Sequence, residues 1–111
     1  MAYDEDLADR IRELLGGVKG VTEKKMFGGI AFLVGGNMAI SASGQGGVLV
    51  RVDPAASESI VGSSKAVPAV MRGREMAGWL RVASADVRTK AQLAKWVRLG
   101  TGYAGSLAPK R

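Results

Sequence analysis

The first residues of the chain show the apolar spacing of a helix. Their apolar side chains recur at i, i+4, i+7 and i+8, which places them on one stripe of a helical surface. The members of this stripe are Leu7, Ile11, Leu14 and Leu15. Acidic residues at positions 4–6 suit the positive end of the helix dipole, and two glycines at positions 16–17 favour its end. The pattern predicts a helix over about residues 4–16.

From residue 21 to residue 52, short apolar runs alternate with glycine clusters, which is typical of an antiparallel β-meander. The predicted strands cover about residues 21–27, 29–34, 38–43 and 48–52. Gly28 and Gly29 interrupt the first apolar stretch, and we expect a bulge or a sharp bend there. The segment 35–37, Gly-Gly-Asn, tolerates positive φ and predicts a tight hairpin turn.

Two further helix starts follow. Asp53 before Pro54 is typical of a capped first turn, and it predicts a short helix to about residue 61. Thr89 with Gln92 three residues later forms a capping box in front of a second apolar stripe. That stripe consists of Leu93, Trp96, Val97, Gly100, Tyr103, Ala104 and Leu107. Pro109 is expected to end this helix, and Gly100 and Gly102 should weaken it unless close packing requires them.

One more strand is predicted over residues 75–82. Alternation places one set of its side chains on an inward face, namely Met76, Gly78, Leu80 and Val82. Trp79 and Arg81 point the other way, so Trp79 is either covered by a helix or left exposed. The preceding residues 67–71 fit no single pattern.

This order of helix, meander, helix, strand and helix predicts an α+β fold. We expect a mainly antiparallel sheet whose N-terminal and C-terminal helices cover one face. The length of 111 residues fits one domain over residues 1–111 with one core. The predicted core consists of Leu7, Ile11, Leu15, Phe27, Phe32, Val50, Met76, Leu80, Leu93 and Val97.

The composition removes most catalytic chemistry. The chain has no cysteine and no histidine, which excludes thiolate nucleophiles, Ser/His or Cys/His catalysis and the common transition-metal ligands. The carboxylates beyond the first helix are widely spaced. Residues 100–105 match G-x-G-x-x-G in spacing, but they lie late in a predicted helix rather than after a strand. We therefore expect no enzymatic activity, no cofactor and no metal.

The chain also lacks a membrane signal. Its first residues are acidic without an apolar segment, and no apolar run approaches the roughly 20 residues that span a bilayer. We expect no membrane contact and a cytoplasmic location.

Positive charge is concentrated in the C-terminal part of the chain. Residues 65–111 carry ten basic and two acidic side chains, within a net charge of +6. Such asymmetry fits a solvated face, an acidic protein partner or phosphate contacts with nucleic acid, and no base-reading motif is present. The candidate contact residues are Lys24, Lys25, Arg72, Arg74, Arg81, Lys90, Lys95, Arg98, Lys110 and Arg111.

Two segments resemble a known family. Residues 25–29 read KMFGG and residues 73–79 read GREMAGW, with Trp96 and Tyr103 in the closing helix. Together they resemble the TfoX (Sxy) N-terminal domain, whose founding members are bacterial regulators of natural competence. The resemblance implies a non-enzymatic regulatory module, a transcription or competence co-regulator that acts through a protein partner.

Competence-type members of this family carry a second, C-terminal domain, and this chain ends at Arg111. Two alternatives to the regulatory module remain open. One is a weak, non-specific nucleic-acid binder that uses the basic C-terminal half. The other is a small-ligand protein or an enzyme with an unrecognised site.

Overall fold

A computed structural model describes residues 4–26 and 28–108 of the protein. Within these ranges the chain forms helices and strands in an order close to the predicted one. The elements are α1 (Glu5–Leu14), β1 (Val21–Met26), β2 (Gly29–Val34), β3 (Asn37–Ala42), β4 (Val48–Arg51), α2 (Pro54–Gly62), β5 (Val67–Met71), β6 (Arg74–Val82) and α3 (Lys90–Ser106). A short 3-10 helix, Ser84–Asp86, precedes α3.

The strands form one six-stranded antiparallel sheet in the order β1-β2-β3-β4-β6-β5. The meander of β1 to β4 and the α+β class are as predicted. The ambiguous segment 67–71 is β5, an edge strand. Its second residue is Pro68, and an edge position tolerates proline because one side of the strand has no ladder partner.

The turns and caps follow the local sequence signals. The chain reverses between Met26 and Gly29, which pair directly across β1 and β2. Gly35 and Gly36 have φ of 60° and 83°, as a tight two-residue hairpin turn requires. The Asp4 carboxylate accepts a hydrogen bond from the Leu7 amide at 3.1 Å, which caps α1.

The other two helices begin at their predicted caps. The Asp53 carboxylate accepts from the Ala55 amide at 2.9 Å at the start of α2. At the start of α3, Thr89 and Gln92 exchange the two hydrogen bonds of a capping box, at 3.1 and 3.0 Å. Pro109 lies outside the described residues, and the described helix ends at Ser106.

The core lies between one face of the sheet and the three helices. Cross-strand register aligns four fully buried side chains, Phe32, Ile40, Val50 and Leu80. Buried residues of α1 and α3 join the same cluster, and Ile60 and Val61 of α2 pack against it. The confirmed members of the predicted core are Leu7, Ile11, Leu15, Phe32, Val50, Leu80, Leu93 and Val97. Phe27, also predicted, lies outside the described residues.

The prediction for Met76 is wrong. Its side chain is 38% exposed, although Gly78, Leu80 and Val82 on the same predicted face are buried. The register explains the difference: Pro68 pairs with Leu80, but the next residue, Ala69, pairs with Met76. Residues 77–79 therefore form a bulge that breaks the alternation, and the hairpin beyond it extends past the core.

Among the described helices, none has the length and apolarity that a membrane-crossing segment requires.

Candidate functional site

The sheet has a second face, turned away from the helices, which we call the far face. A row of cross-strand neighbours in the middle of this face runs across all six strands. Along each strand its residues are next to those of the buried row that includes Phe32, Ile40, Val50 and Leu80, so their side chains point to the opposite face. The row on the far face consists of Lys24, Ala31, Ser41, Leu49, Arg81 and Val67. The next row on the same face includes Arg51 and Trp79, which pair between β4 and β6.

Arg51 lies against two aromatic rings. The Cζ atom of its guanidinium is 5.3 Å from the ring centroid of Trp79 and 5.5 Å from that of Tyr103 in α3. All three residues are partly exposed. Both distances are within the range of attractive cation–π contacts, so the rings hold the guanidinium in a defined position at the surface.

Arg81 is the second arginine of the far face. It is half-buried, and its guanidinium donates a hydrogen bond from Nη1 to the Ser43 Oγ atom at 3.1 Å. Because Ser43 follows β3, the Arg81 side chain reaches across β4, where Leu49 is only 7% exposed. Arg81 therefore has a structural contact in addition to its predicted role as a partner contact.

The outward surface of α3, the α3 face, carries two of the predicted residues. Lys95 and Arg98 are three positions apart and both exposed, so they lie side by side on the helix. The other exposed residues on the same stripe of α3 as Lys95 and Arg98 are small, namely Ala91, Gly102 and Gly105, and Gln92 of the capping box is exposed beside it. The Lys95 Nζ atom is 5.1 Å from the ring centroid of Trp96, which is itself buried. The α3 face is therefore smooth and positively charged, without an acidic side chain.

The remaining predicted residues lie elsewhere. Lys24 and Lys25 are exposed on β1, whereas Arg72 and Arg74 are exposed at the β5–β6 turn. β1 and β5 are the opposite edges of the six-stranded sheet, with four strands between them. Lys90 is exposed at the first turn of α3, and Lys110 and Arg111 lie outside the described residues. The predicted basic residues thus divide among several surfaces rather than forming one.

Two open grooves lie along α1, where it faces the segment before α3 and the first turns of α3. The larger, of about 590 Å³, lies against the 3-10 helix and includes Asp4, Arg10 and Arg88 in its lining. The smaller, of about 260 Å³, shares Arg10 and Arg88 with it and includes Glu13 and Lys90. The Arg10 guanidinium donates to the Val87 and Arg88 carbonyl oxygens at 2.9 and 3.0 Å. Arg10 therefore fastens α1 to the segment before α3, and the groove walls carry both charge signs.

An ion pair joins α1 to the β1 edge. Arg12 donates from Nε and Nη2 to the two carboxylate oxygens of Glu23, at 2.8 and 2.9 Å, and also pairs with Asp9. The hydrogen bonds from Arg12 lower the pKa of the Glu23 carboxyl, and those to Glu23 raise the pKa of Arg12. Both side chains are 38% exposed, so solvent screens the pair. Its role is to fix the edge strand against the helix.

The acidic residues of the described chain are the candidate side-chain ligands for a metal ion. Within residues 4–26 and 28–108, no group of three or more carboxylates comes together as a candidate metal site. The sequence supplies no cysteine or histidine for such a site.

Sequence reasoning missed Arg51 as a candidate. Arg51 is a single basic residue at the end of β4, and its aromatic neighbours lie far from it in the sequence. Trp79 contacts Arg51 because β6 pairs with β4, although β5 lies between them in the sequence. Tyr103 contacts Arg51 because α3 packs against β4. These neighbours depend on tertiary packing, which no local pattern encodes.

A comparison with protein families adds an independent finding. The profile of the TfoX N-terminal domain matches residues 13–104 of the 111-residue chain. No curated protein and no solved structure matches the chain. The matched region begins within α1 and ends within α3, so it includes the whole sheet. Because it covers well over half of the chain, the protein belongs to the TfoX N-terminal domain family.

Proposed function

We propose that the protein is a non-enzymatic regulatory module that acts by binding a protein partner, in the manner of a transcription or competence co-regulator. The observation that carries this proposal is the α3 face, where Lys95 and Arg98 are exposed on a smooth surface without acidic side chains. Such a surface attracts an acidic partner and allows close approach. Family membership supports a regulatory role.

The chemistry of the chain supports a binding role rather than a reaction. The grooves near α1 are open, and their principal guanidinium, Arg10, is bonded to backbone carbonyl oxygens. A catalytic site usually combines a cleft with groups of strongly perturbed pKa. Among the described groups, the pKa values that clearly depart from the ordinary ones are those of the solvent-screened pair of Arg12 and Glu23, and neither residue lines the two grooves.

Capture from lysate with matched charge variants tests the proposal. The wild-type protein, the double variant Lys95→Glu/Arg98→Glu and the control Arg72→Glu/Arg74→Glu serve as baits, with and without nuclease. Both double variants change the charge by the same amount, but the control alters a hairpin turn away from α3. We expect a partner that survives nuclease, binds the wild type and the control, and is lost from the α3 variant. Equal capture by all three baits would contradict the proposal.

Weak nucleic-acid binding is the second candidate function, and the exposed cations of α3 favour it to a lesser degree. Phosphate contacts release counterions, so binding through them weakens with salt in proportion to the number of phosphates neutralised. Binding of duplexes of unrelated sequence, measured by fluorescence anisotropy across a salt series, separates the two. Sequence-tolerant binding that is stronger than partner binding at physiological salt would favour the nucleic-acid function.

A further inference from the structure

The far face holds an arginine whose position is fixed and whose donors are free. Arg51 is held against Trp79 and Tyr103, yet its guanidinium donates no hydrogen bond to any described residue. A guanidinium that contacts rings through its flat surface keeps its N–H donors at the edge, in the fork that matches a carboxylate. Because the rings already restrict this side chain, less conformational freedom is lost when an anion binds.

A second guanidinium lies on the same face. Leu49 and Arg51 are two residues apart on β4, so their side chains are roughly 7 Å apart along the strand. Arg81 is the cross-strand neighbour of Leu49, and one of its donors is taken by Ser43. The two arginines therefore flank the partly exposed ring of Trp79, whereas Leu49 is 7% exposed.

The paired residues around these two arginines carry no negative charge among the described residues. The two rows that cross the far face, with Lys24 and Arg81 in one and Arg51 in the other, contain no aspartate or glutamate among the described residues. The far face is thus positive around a small apolar centre, and the complementary partner is negative with apolar side chains of its own.

The residue types favour a polypeptide over nucleic acid. Tryptophan, tyrosine and arginine are the types that contribute most at protein interfaces, and all three meet at Arg51. Sheet surfaces that bind single-stranded nucleic acid stack two or three bases on exposed aromatic rings. In the described rows of this face Trp79 is the one aromatic residue, and Arg51 already contacts its ring.

We propose that the far face around Arg51, Trp79 and Arg81 is a docking surface for an acidic, partly apolar polypeptide segment, with Arg51 as the carboxylate receptor. This inference goes beyond the proposed function, because it concerns Arg51, Trp79 and Arg81, together with Tyr103 at the edge of α3, and not the exposed stripe of Lys95 and Arg98. The variants that test the two proposals alter different residues, so the two proposals fail independently.

The two tryptophans allow a direct test by NMR. Trp79 is partly exposed on the far face, whereas Trp96 is 3% exposed in the core. The isotope-labelled protein is titrated with a synthetic peptide of alternating glutamate and leucine, and separately with a thymidine oligonucleotide of equal charge. We expect the peptide to shift the indole signal of Trp79 and the Nε–H signal of Arg51, while the indole signal of Trp96 stays in place.

Matched variants assign the effect to the guanidinium. We expect Arg51→Gln to weaken peptide binding about tenfold, the effect of one charge-assisted contact, and Arg98→Gln on the α3 face to change it by less than about twofold. Should Arg51→Gln disturb folding, as judged by the Trp96 signal, Arg81→Gln replaces it with the same expectation of weaker binding.

Three results would overturn the inference. The first is a peptide-induced shift at Lys95 and Arg98 without one at Trp79. The second is oligonucleotide binding at Trp79 as tight as peptide binding. The third is an equal loss of affinity in the Arg98→Gln control.

Discussion

Gly100 shows how one missing side chain sets the position of a helix. A Cβ atom at this residue would lie 2.4 Å from the Ala39 carbonyl oxygen and 3.4 Å from a methyl carbon of Val50. The helix therefore touches the backbone of β3 directly. Gly102, two residues later, would meet nothing within 4 Å. The two glycines look alike in the sequence, but only the first has a packing role.

A pair of alanine substitutions tests this difference. Alanine gains roughly 1 kcal/mol of helix propensity over glycine at either position. At Gly100 the clash with a backbone atom outweighs that gain, and Gly100→Ala should destabilise the protein by about 1–3 kcal/mol. Gly102→Ala should be neutral or stabilising by up to about 1 kcal/mol. Urea unfolding of both variants measures the difference, and a stabilised Gly100→Ala variant would show that α3 lies farther from β3.

The pair of Arg12 and Glu23 predicts a pH effect at the residue scale. Because the pKa of Glu23 is lowered in the folded protein, its stabilising contribution is present above the ordinary glutamate pKa and is lost as pH falls through the folded value. Solvent screening limits that contribution to about 1 kcal/mol or less. Glu23→Gln should therefore lower stability slightly at pH 7 and not at all well below pH 4.

Denaturant midpoints of the wild type and Glu23→Gln across the pH range measure this dependence. The control is Glu58→Gln, which removes an exposed carboxylate from α2 without altering the pair. A Glu23→Gln deficit that persists unchanged in acid would mean that the effect comes from packing rather than charge.

At the element scale, the bulge in β6 separates core from surface within one strand. Leu93 in α3 is fully buried, and Leu93→Ala should cost about 2–5 kcal/mol because it removes a buried side chain and leaves a cavity. Met76 lies beyond the bulge and is exposed, so Met76→Ala should change stability by less than about 0.5 kcal/mol. Thermal or urea unfolding compares the stability of the two variants. A large loss of stability in Met76→Ala would mean that Met76 is buried, as the regular alternation in the sequence predicted.

The capping box of α3 gives a second element-scale prediction. Thr89→Ala removes the side-chain oxygen that accepts from the Gln92 amide, and it should cost about 1 kcal/mol. Lys90→Ala, one residue later and exposed, serves as the matched control and should be nearly neutral. Exchange of the amide hydrogens in the first turn of α3 should become faster in Thr89→Ala and not in Lys90→Ala. Unchanged exchange in Thr89→Ala would indicate that packing alone stabilises the helix start.

These elements also show what the sequence could and could not predict. The helix starts at Asp53 and Thr89 and the turn at Gly35 were predictable because they depend on groups a few residues apart. The Met76 prediction failed because the bulge in β6 depends on its pairing with β5, whose own pattern was ambiguous. The contacts of Arg51 depend on the order of β4 and β6 in the sheet, so a list of basic residues could not identify it.

At the scale of the whole molecule, the fold disperses the positive charge that the sequence concentrates. Residues 65–111 carry ten basic side chains, but the described ones are divided among β6, the β5–β6 turn, α3 and the loops that contain Lys65 and Arg88. Each surface described above carries two or three cations, as the α3 face does with Lys95 and Arg98. The net charge therefore overstates the electrostatic attraction available to a single partner.

This dispersion predicts a shallow salt dependence for any binding to double-stranded DNA. The slope of log K against log salt reflects the number of phosphates neutralised, at about −0.9 for each. With two or three contacts, affinity should fall only roughly tenfold to fortyfold between about 50 and 200 mM salt, against at least a thousandfold for six or more contacts. Anisotropy titrations with a labelled duplex give the slope. In the Lys95→Glu/Arg98→Glu variant, most of this salt dependence should be lost. A slope of about −6 or steeper would mean that cations from several of these surfaces contact one duplex, which this fold does not allow without rearrangement.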